Sequence, residues 1–310
     1  MEKMAEKFDV NQGHGNHNDC LFGSPGGDKP EMAEWICKIV PKSEICGRTE
    51  NAIPCALGNG LPERLPFVLL TSDRGKVRLQ MLVGVVEPGK HNTLISAYPE
   101  CDGATVEVVL REIHEWSNGV EATLEGTMLG EGEDERRVAF FDTRYAMQKG
   151  KYVIGNRYRF KLAALCYEDG GILPPAERKI VVSGEQAERI YRALGQEPER
   201  GSDGVVKPWI ADQSMGTAYW SSSDAYPDDA FFQSPVFERV GLTKAFDRRY
   251  FVFSIAIARS TLQEALEVRI PLYARSEIFA TRPHKGDPIR GHMWLHGYLI
   301  DEVMNEAGVV

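Results

Sequence analysis

The strongest constraint on the fold is a succession of short alternating segments that begins after Pro66 and continues almost to the end of the chain. Apolar and polar residues alternate in these segments with a period of two, which is typical of β-strands. The segments are 67–71, 77–86, 105–113, 120–129, 137–146, 157–167, 231–240, 250–258, 267–278 and 288–300. Asp73, Arg74 and Gly75 separate the first two and have the chemistry of a hairpin turn. The pattern predicts a mainly β protein, of the β-rich α+β class.

One segment has helical periodicity instead. Residues 187–194 carry apolar side chains at the i, i+3, i+4 and i+7 spacing of an amphipathic helix. Ser183 and Gln186 match a capping box, and Gly195 stands where a helix commonly ends. We therefore predict one connecting helix over residues 184–195.

Breaks in the pattern divide the chain. Its 310 residues are about twice the length of a usual domain, so two packed units are expected. Residues 196–229 are rich in Gly, Ser, Asp and Pro, which favours a linker or a covering loop. The predicted parts are a flexible leader (1–30), a first β-rich domain (31–183), the connecting helix (184–195), the linker or covering loop (196–229) and a second β-rich domain (230–310).

The two β units share landmarks. A shift of 131 residues places residues 120–129 on 251–260 and Gly155 on Gly286 without a gap. Identity between the aligned residues is low, so both a genuine internal repeat and a chance match remain open. Two small barrel- or sandwich-like units related by a weak internal repeat fit this pattern. Closed barrels of the five-stranded oligonucleotide/oligosaccharide-binding (OB) type are among the compatible folds.

Charge and cysteine content bear on location and partners. The net charge is −9, with 36 Lys and Arg against 45 Asp and Glu, which disfavours nonspecific binding to duplex nucleic acid. No apolar run reaches the length of a membrane span, and the first residues do not match a secretory signal. Six cysteines are too few for a disulfide scaffold in a chain of this size. We predict a cytoplasmic protein with reduced thiols and no membrane contact.

The last strand offers two different faces. Met293, Leu295 and Leu299 form an apolar face that suits a core. The opposite face carries flat side chains on which bases or sugar rings stack: His292, Trp294, His296 and Tyr298. Nearby positive charges suited to an anionic ligand are Arg282, Lys285 and Arg290. These seven residues are the predicted ligand-binding site. The same aromatic face could instead pack against a second domain or a helix.

Motifs with a known chemistry are missing from the sequence. It holds no nucleophile elbow, Walker loop, dinucleotide-binding glycine pattern or zincin motif. Tight cysteine pairs of the kind that hold structural zinc are also missing. We therefore predict no metal site and no cofactor, and assign no catalytic residue.

The best functional interpretation is a non-catalytic binding or assembly protein. Its aromatic and basic strand face would take an anionic or stacking ligand, such as single-stranded nucleic acid or carbohydrate, or a protein partner. One alternative is an enzyme acting on a sugar or nucleotide, with Asp142, His292 and His296 as acid/base groups. Another is a structural protein that forms homo-oligomers through the aromatic row.

Overall fold

The chain folds mainly into β-strands, as the alternating pattern predicts. This computed structural model describes residue 20 and residues 36–58, 60–72, 75–87, 91–128, 135–222, 226–259 and 267–302. The predicted leader falls outside the described residues except for Cys20, which is buried. Residues 73 and 74 of the predicted hairpin turn also fall outside them.

An antiparallel sheet of four strands comes first. Its strands lie in the order β1 (Glu44–Arg48), β4 (Phe67–Thr71), β5 (Val77–Glu87) and β6 (His91–Cys101). The short strands β2 (Ile53–Pro54) and β3 (Arg64–Leu65) pair with each other beside it. The predicted hairpin of β4 and β5 is confirmed by antiparallel pairing, whereas β1 and β6 were not predicted.

The remaining strands build a larger sheet and one small one. In chain order they are β7 (Ala104–Glu115), β8 (Ala122–Met128), β9 (Arg136–Asp142), β10 (Arg157–Cys166), β11 (Gly171–Ile172), β12 (Lys179–Val182), β13 (Trp209–Asp212), β14 (Ala218–Ser221), β15 (Asp229–Pro235), β16 (Glu238–Ala245), β17 (Arg248–Arg259), β18 (Glu267–Arg275) and β19 (Pro288–Glu302). Among the described residues, 36–39 are helical, and two α-helices follow them: α1 (Tyr145–Gln148) and α2 (Glu185–Ala193). Each predicted strand from residue 105 onward corresponds to at least one of these.

Five strands close into a barrel. They follow the order β7-β8-β9-β19-β10, and β10 pairs with β7 to complete the ring. All neighbours are antiparallel except β9 and β19, which run parallel where His296 meets Phe141. The interior holds large apolar side chains from every strand, among them Val108, Leu124 and Phe160.

A second ring of strands uses two of the same strands. β15 pairs with β19, β10 pairs in parallel with β18, and β18 is followed by β17 and β16. Residues 236 and 237 connect β15 to β16 along the chain, so among the described residues this second ring is completed by a chain connection and not by strand pairing. Both rings therefore contain the antiparallel ladder between β10 and β19, which runs from Tyr158–Glu302 to Cys166–Met293.

The connecting helix and the segment after it differ in detail from the prediction. The helix is confirmed as α2, but its N-cap is Gly184 without a side-chain hydrogen bond, so the predicted capping box does not form. Gly195 has the left-handed φ of +69° that a C-terminal glycine commonly adopts. Residues 196–229 include β13 and β14, which pair with β12 and β15, so this segment is part of the sheets.

The four-stranded sheet packs on the outside of the shared ladder. Leu79, Met81 and Tyr98 of that sheet contact a second apolar cluster that includes Leu165 and Trp294. Burying these side chains stabilises the fold by about 25 cal/mol per Å² of apolar surface removed from water. The strands β10 and β19 pair with each other although they lie on opposite sides of the predicted domain boundary. The division into two domains therefore remains a prediction.

Two further features bear on the sequence analysis. Within the described ranges no helix combines the length and apolarity needed to cross a membrane. All six cysteines carry free thiols.

Because the ladder is shared, we expect the two halves of the chain to depend on each other. Fragments 1–203 and 204–310, divided in an exposed turn, should each fail to fold alone, since each ring would lose a strand held by the other fragment. Mixed, they should form a folded 1:1 complex. Circular dichroism and thermal melting of each fragment and of the mixture measure this.

The matched control is the full chain with a protease site inserted at the same turn and cleaved after folding. Its two pieces should remain together. A cooperative melting transition in either isolated fragment would contradict interdependence of the rings.

Candidate functional site

Strand β19 presents the two faces that the alternation predicts. Met293, Leu295 and Leu299 are buried in the barrel interior. The exposure of the opposite face differs along the strand, because the four-stranded sheet covers only part of that face. His292 is exposed, Trp294 and His296 are buried, and Tyr298 is half-buried.

The prediction that Trp294 is available to a ligand is wrong. Its indole is fully buried and donates a hydrogen bond from Nε1 to Asp228 at 2.8 Å. One side of the ring lies against His296 at 4.6 Å, and Phe141 lies 5.6 Å away. The alternative interpretation of this face as a packing surface is the one that holds for Trp294.

His296 is likewise unavailable to a ligand. The backbone N–H of Cys101 donates to its Nε2 at 2.9 Å, which places the ring proton on Nδ1. Burial lowers the pKa of this imidazole to about 4, so the ring is neutral at physiological pH. His296 therefore fastens the end of β6 to β19.

A buried carboxylate lies beside these rings. Glu100 of β6 is fully buried and accepts hydrogen bonds from Arg78, Arg144, Gln80 and Thr143 at 2.6 to 2.9 Å. Burial alone would raise its pKa, but the hydrogen bond and charge of Arg144 and the charge of Arg78 hold the pKa at about 2. Arg144 also lies 3.9 Å from the ring of Tyr298. This network joins the four-stranded sheet to the barrel.

The acid/base groups of the enzyme alternative do not form one site. Asp142 is buried, accepts from Tyr152 Oη at 2.5 Å, and lies on β9 opposite Gly297, next to His296. Burial raises the pKa of its carboxyl to about 7. His292 is on the exposed part of β19, where its Nδ1 lies 2.6 Å from Asp169 Oδ2. His296 thus lies under the four-stranded sheet, Asp142 reaches Tyr152 on the barrel side of the neighbouring strand, and His292 lies apart on the surface.

An aromatic row, exposed at its two ends and half-buried in the middle, crosses three neighbouring strands at this surface. Trp220 of β14 is the direct cross-strand partner of Phe231, and Phe231 of β15 is the partner of His292. The Trp220 and Phe231 rings stack with centroids 4.4 Å apart, and the Phe231 and His292 rings meet edge to face at 5.5 Å. Trp220 is 53% exposed. Trp220, Phe231 and His292 are called the aromatic row below.

A groove of about 560 Å³ adjoins the aromatic row and shares Trp220 with it. Strands β7, β8 and β9 contribute polar residues to its wall, including His114, Glu125 and Arg137. The guanidinium of Arg137 lies 3.6 Å from Glu125, and its side chain is 84% exposed. The groove therefore combines an exposed indole with an ion pair, Arg137–Glu125, whose arginine side chain is largely exposed.

A second cavity, of about 520 Å³, lies beside β7 and β18. Its charges are paired within the cavity as Arg111–Glu135, Arg157–Glu107 and Arg269–Glu267. Because each arginine lining this cavity faces a glutamate, its walls offer no excess of positive charge to an anion.

The predicted basic residues lie in different surroundings. Arg282 and Lys285 are exposed, and the Arg282 guanidinium is 5.5 Å from the ring of Phe251. Arg290 is half-buried and forms an ion pair with Glu177 at 2.5 Å. Only Arg290 shares the strand face of His292, two residues away, so it is the predicted cation that borders the aromatic row.

Trp220 lies in the predicted covering loop, but neither Trp220 nor Phe231 is among the predicted ligand-binding residues. The usable signal was the pair Tyr219 and Trp220, because neighbouring residues in a strand point to opposite faces. Tyr219 indeed packs against the barrel core while Trp220 is exposed.

Removing the Glu100 charge should destabilise the protein strongly. In Glu100→Gln, Arg78 and Arg144 lose their shared carboxylate, and breaking a buried ion pair from one side costs about 3–5 kcal/mol. Glu107→Gln is the matched control, since its pair with Arg157 is about half-exposed and worth roughly 0–1 kcal/mol. Urea denaturation measures both, and equal losses would contradict a central role for Glu100.

Asp142 should make stability fall as the pH rises. Its pKa is about 7 in the folded chain against 3.8 as the ordinary value, so the folded state holds a proton that the unfolded state releases between these limits. The contribution of this carboxyl to the free energy of unfolding is therefore fully present below pH 4 and is lost as the pH rises towards 7. Glu100 acts oppositely, but only below its ordinary value of 4.5.

Asp142→Asn cannot titrate, so its free energy of unfolding should decrease less than that of the unaltered protein between pH 5 and pH 8. Each pKa unit corresponds to about 1.4 kcal/mol. Urea denaturation at several pH values measures the slope, with exposed Asp203→Asn as the control. Identical slopes in Asp142→Asn and the unaltered protein would rule out Asp142 as the source.

The functional interpretation rests on this geometry. No protein-family model matches the chain, and neither a curated protein nor a solved structure matches it.

Proposed function

We propose that this protein is a non-catalytic binding protein for single-stranded nucleic acid, and that the strand crosses the aromatic row and the groove. The observation that carries the proposal is the exposed indole of Trp220, which belongs to both surfaces. Aromatic faces hold unpaired bases by stacking, with about 1–3 kcal/mol per base and little dependence on sequence. The sequence-based idea of a stacking face is kept, but it moves from Trp294 to Trp220.

Two arginines lie near the row, each paired with a glutamate: Arg137 with Glu125 and Arg290 with Glu177. Arg137 extends into the groove, and Arg290 borders His292 at the other end of the row. Arginine side chains contact phosphate oxygens without reading sequence. With a net charge of −9 the chain as a whole does not attract nucleic acid, so local contacts have to supply the affinity.

We further propose that the closed barrel is of the OB type. Counting its strands 1 to 5 along the chain, the order is 1-2-3-5-4 with strands 3 and 5 parallel, the arrangement of an OB barrel. OB barrels bind oligonucleotides and oligosaccharides on the face of strands 2 and 3. Here those strands are β8 and β9, which contribute Glu125 and Arg137 to the groove. This is an analogy of fold, and it supports the proposal without fixing the ligand.

We also propose that the two rings are a tandem repeat. The shift of 131 residues carries β8, β9 and β10 onto residues 253–259, 267–273 and 288–297, which lie in β17, β18 and β19. Gly155 and Gly286, which precede the last strand of each copy, have φ values of +93° and +89°. The shift also places Ala164 on Leu295, and these two residues are direct partners in the shared ladder.

In this interpretation the two copies have exchanged strands. β19 runs parallel to β9 of the first ring, and β10 runs parallel to β18 of the second. Each ring thus takes its parallel strand from the other copy. A cytoplasmic location remains a prediction of the sequence.

Trp220→Ala should weaken binding of a fluorescein-labelled oligo-dT of about 20 nucleotides by roughly 10- to 100-fold, as expected from the loss of one stacked base. Trp209→Ala is the matched control, because Trp209 is a half-buried tryptophan on the separate β12–β13 pair. Fluorescence anisotropy at low and high salt measures affinity, and the melting temperature checks folding.

No binding by the unaltered protein, or equal affinity in Trp220→Ala, would refute the proposal. Size-exclusion chromatography of both proteins tests the self-association alternative. A dimer that dissociates in Trp220→Ala, without oligonucleotide binding by the unaltered protein, would favour a contact between copies instead.

A further inference from the structure

A mixed cluster of nitrogen and oxygen ligands lies on the outer face of the barrel. Glu112 and His114 are two residues apart on β7, so their side chains share a face. Glu125 on β8 is the direct cross-strand partner of Glu112. One potential ligand atom from each of the three residues lies within 4.8 Å of the other two.

This arrangement places two carboxylates opposite each other. Like charges that face each other directly across two strands destabilise a sheet. The imidazole of His114 lies beside both: its Nε2 is 3.4 Å from Glu125 Oε2 and 3.8 Å from Glu112 Oε2. Arg137 also lies here, with its Nη1 3.6 Å from the other oxygen of Glu125.

We propose that Glu112, His114 and Glu125 bind a divalent transition-metal ion of the Zn²⁺ class. Zinc takes imidazole nitrogen and carboxylate oxygen at about 2.0–2.2 Å in tetrahedral sites, so ligand atoms lie roughly 3.4 Å apart. The observed separations of 3.4 and 3.8 Å approach this spacing. Imidazole favours Zn²⁺ over Mg²⁺ or Ca²⁺, which prefer oxygen alone.

One of the three side chains is exposed enough to let an ion enter, and the other two are held in place by their burial. Glu112 is 50% exposed and can adjust, whereas His114 and Glu125 are 15% and 23% exposed and lie on paired strands. Two carboxylates would neutralise the charge of the ion. Three protein ligands leave a fourth position for water, and two of them, His114 and Glu125, also line the groove.

The test uses the full chain after treatment with a chelator. Titration with Zn²⁺ by calorimetry, and with Co²⁺ by visible absorption, should show a site whose Co²⁺ spectrum lacks thiolate bands. That signature separates it from any site formed by the cysteines. His114→Gln and Glu125→Gln should each lower the affinity for both ions at least tenfold.

The controls are His284→Ala, an exposed histidine near Asp287, and Glu107→Gln, an exposed glutamate on the same strand β7. Both should bind Zn²⁺ as the unaltered protein does. Melting temperatures without metal confirm that each variant is folded. Absence of a thiolate-free Co²⁺ site, or unchanged affinity in folded His114→Gln and Glu125→Gln, would overturn the assignment. Oligonucleotide binding is measured separately, so failure of either proposal leaves the other to its own test.

Discussion

The antiparallel ladder between β10 and β19 is the constraint on which the rest of the structure depends. It supplies two strands to each ring, and its outer face receives the four-stranded sheet. Backbone hydrogen bonds along the ladder remain inside the protein on both sides, where water cannot replace them. Its inner face contributes to the barrel core through Phe160 and Leu295, and its outer face contributes Leu165 and Trp294 to the second cluster. One pairing therefore organises two separate apolar interiors.

The four-stranded sheet covers only part of β19, which explains why one face of this strand is buried in one part and exposed in another. Where β6 passes over β19, the backbone amide of Cys101 donates to His296, and beside it the indole N–H of Trp294 donates to Asp228, which precedes β15. A buried polar atom without a partner costs about 1–3 kcal/mol, so the Cys101–His296 hydrogen bond helps to fix how the sheet sits on the barrel. Beyond the sheet the same strand face is open, and His292 joins Phe231 and Trp220 there.

Much of the architecture follows from alternation alone. The longer strands after residue 104 and helix α2 are recognisable in the sequence because each has a clear period of two or 3.6, whereas the short strands β11 to β14 were not predicted. The strand β6 was missed because its Ser96 and Glu100 are polar residues at buried positions, satisfied by partners distant in sequence. The exposure of Trp294 could not be predicted for the same reason. Strand periodicity tells which residues share a face, but the cover over that face comes from residues about 200 positions away.

The candidate site, too, was only partly predictable from the sequence. The types of residue were predictable, since flat rings beside basic side chains on a sheet suggest stacking. Their location was not, because the aromatic row forms from three strands that pair across the predicted boundary of the second domain. Trp220 becomes visible only when β14 is placed at the edge of the larger sheet.

The shared ladder also constrains how such a chain can diverge. A substitution at Leu162 or Leu295 alters a strand that serves both rings, so neither ring can accumulate changes there independently of the other. Gly297 is more restrictive still, since a Cβ at that position would lie 2.4 Å from the carbonyl oxygen of Lys161. Recombination cannot transplant one ring into another protein without taking the second with it. The two halves should therefore be inherited as a single unit, with their variation correlated across the ladder.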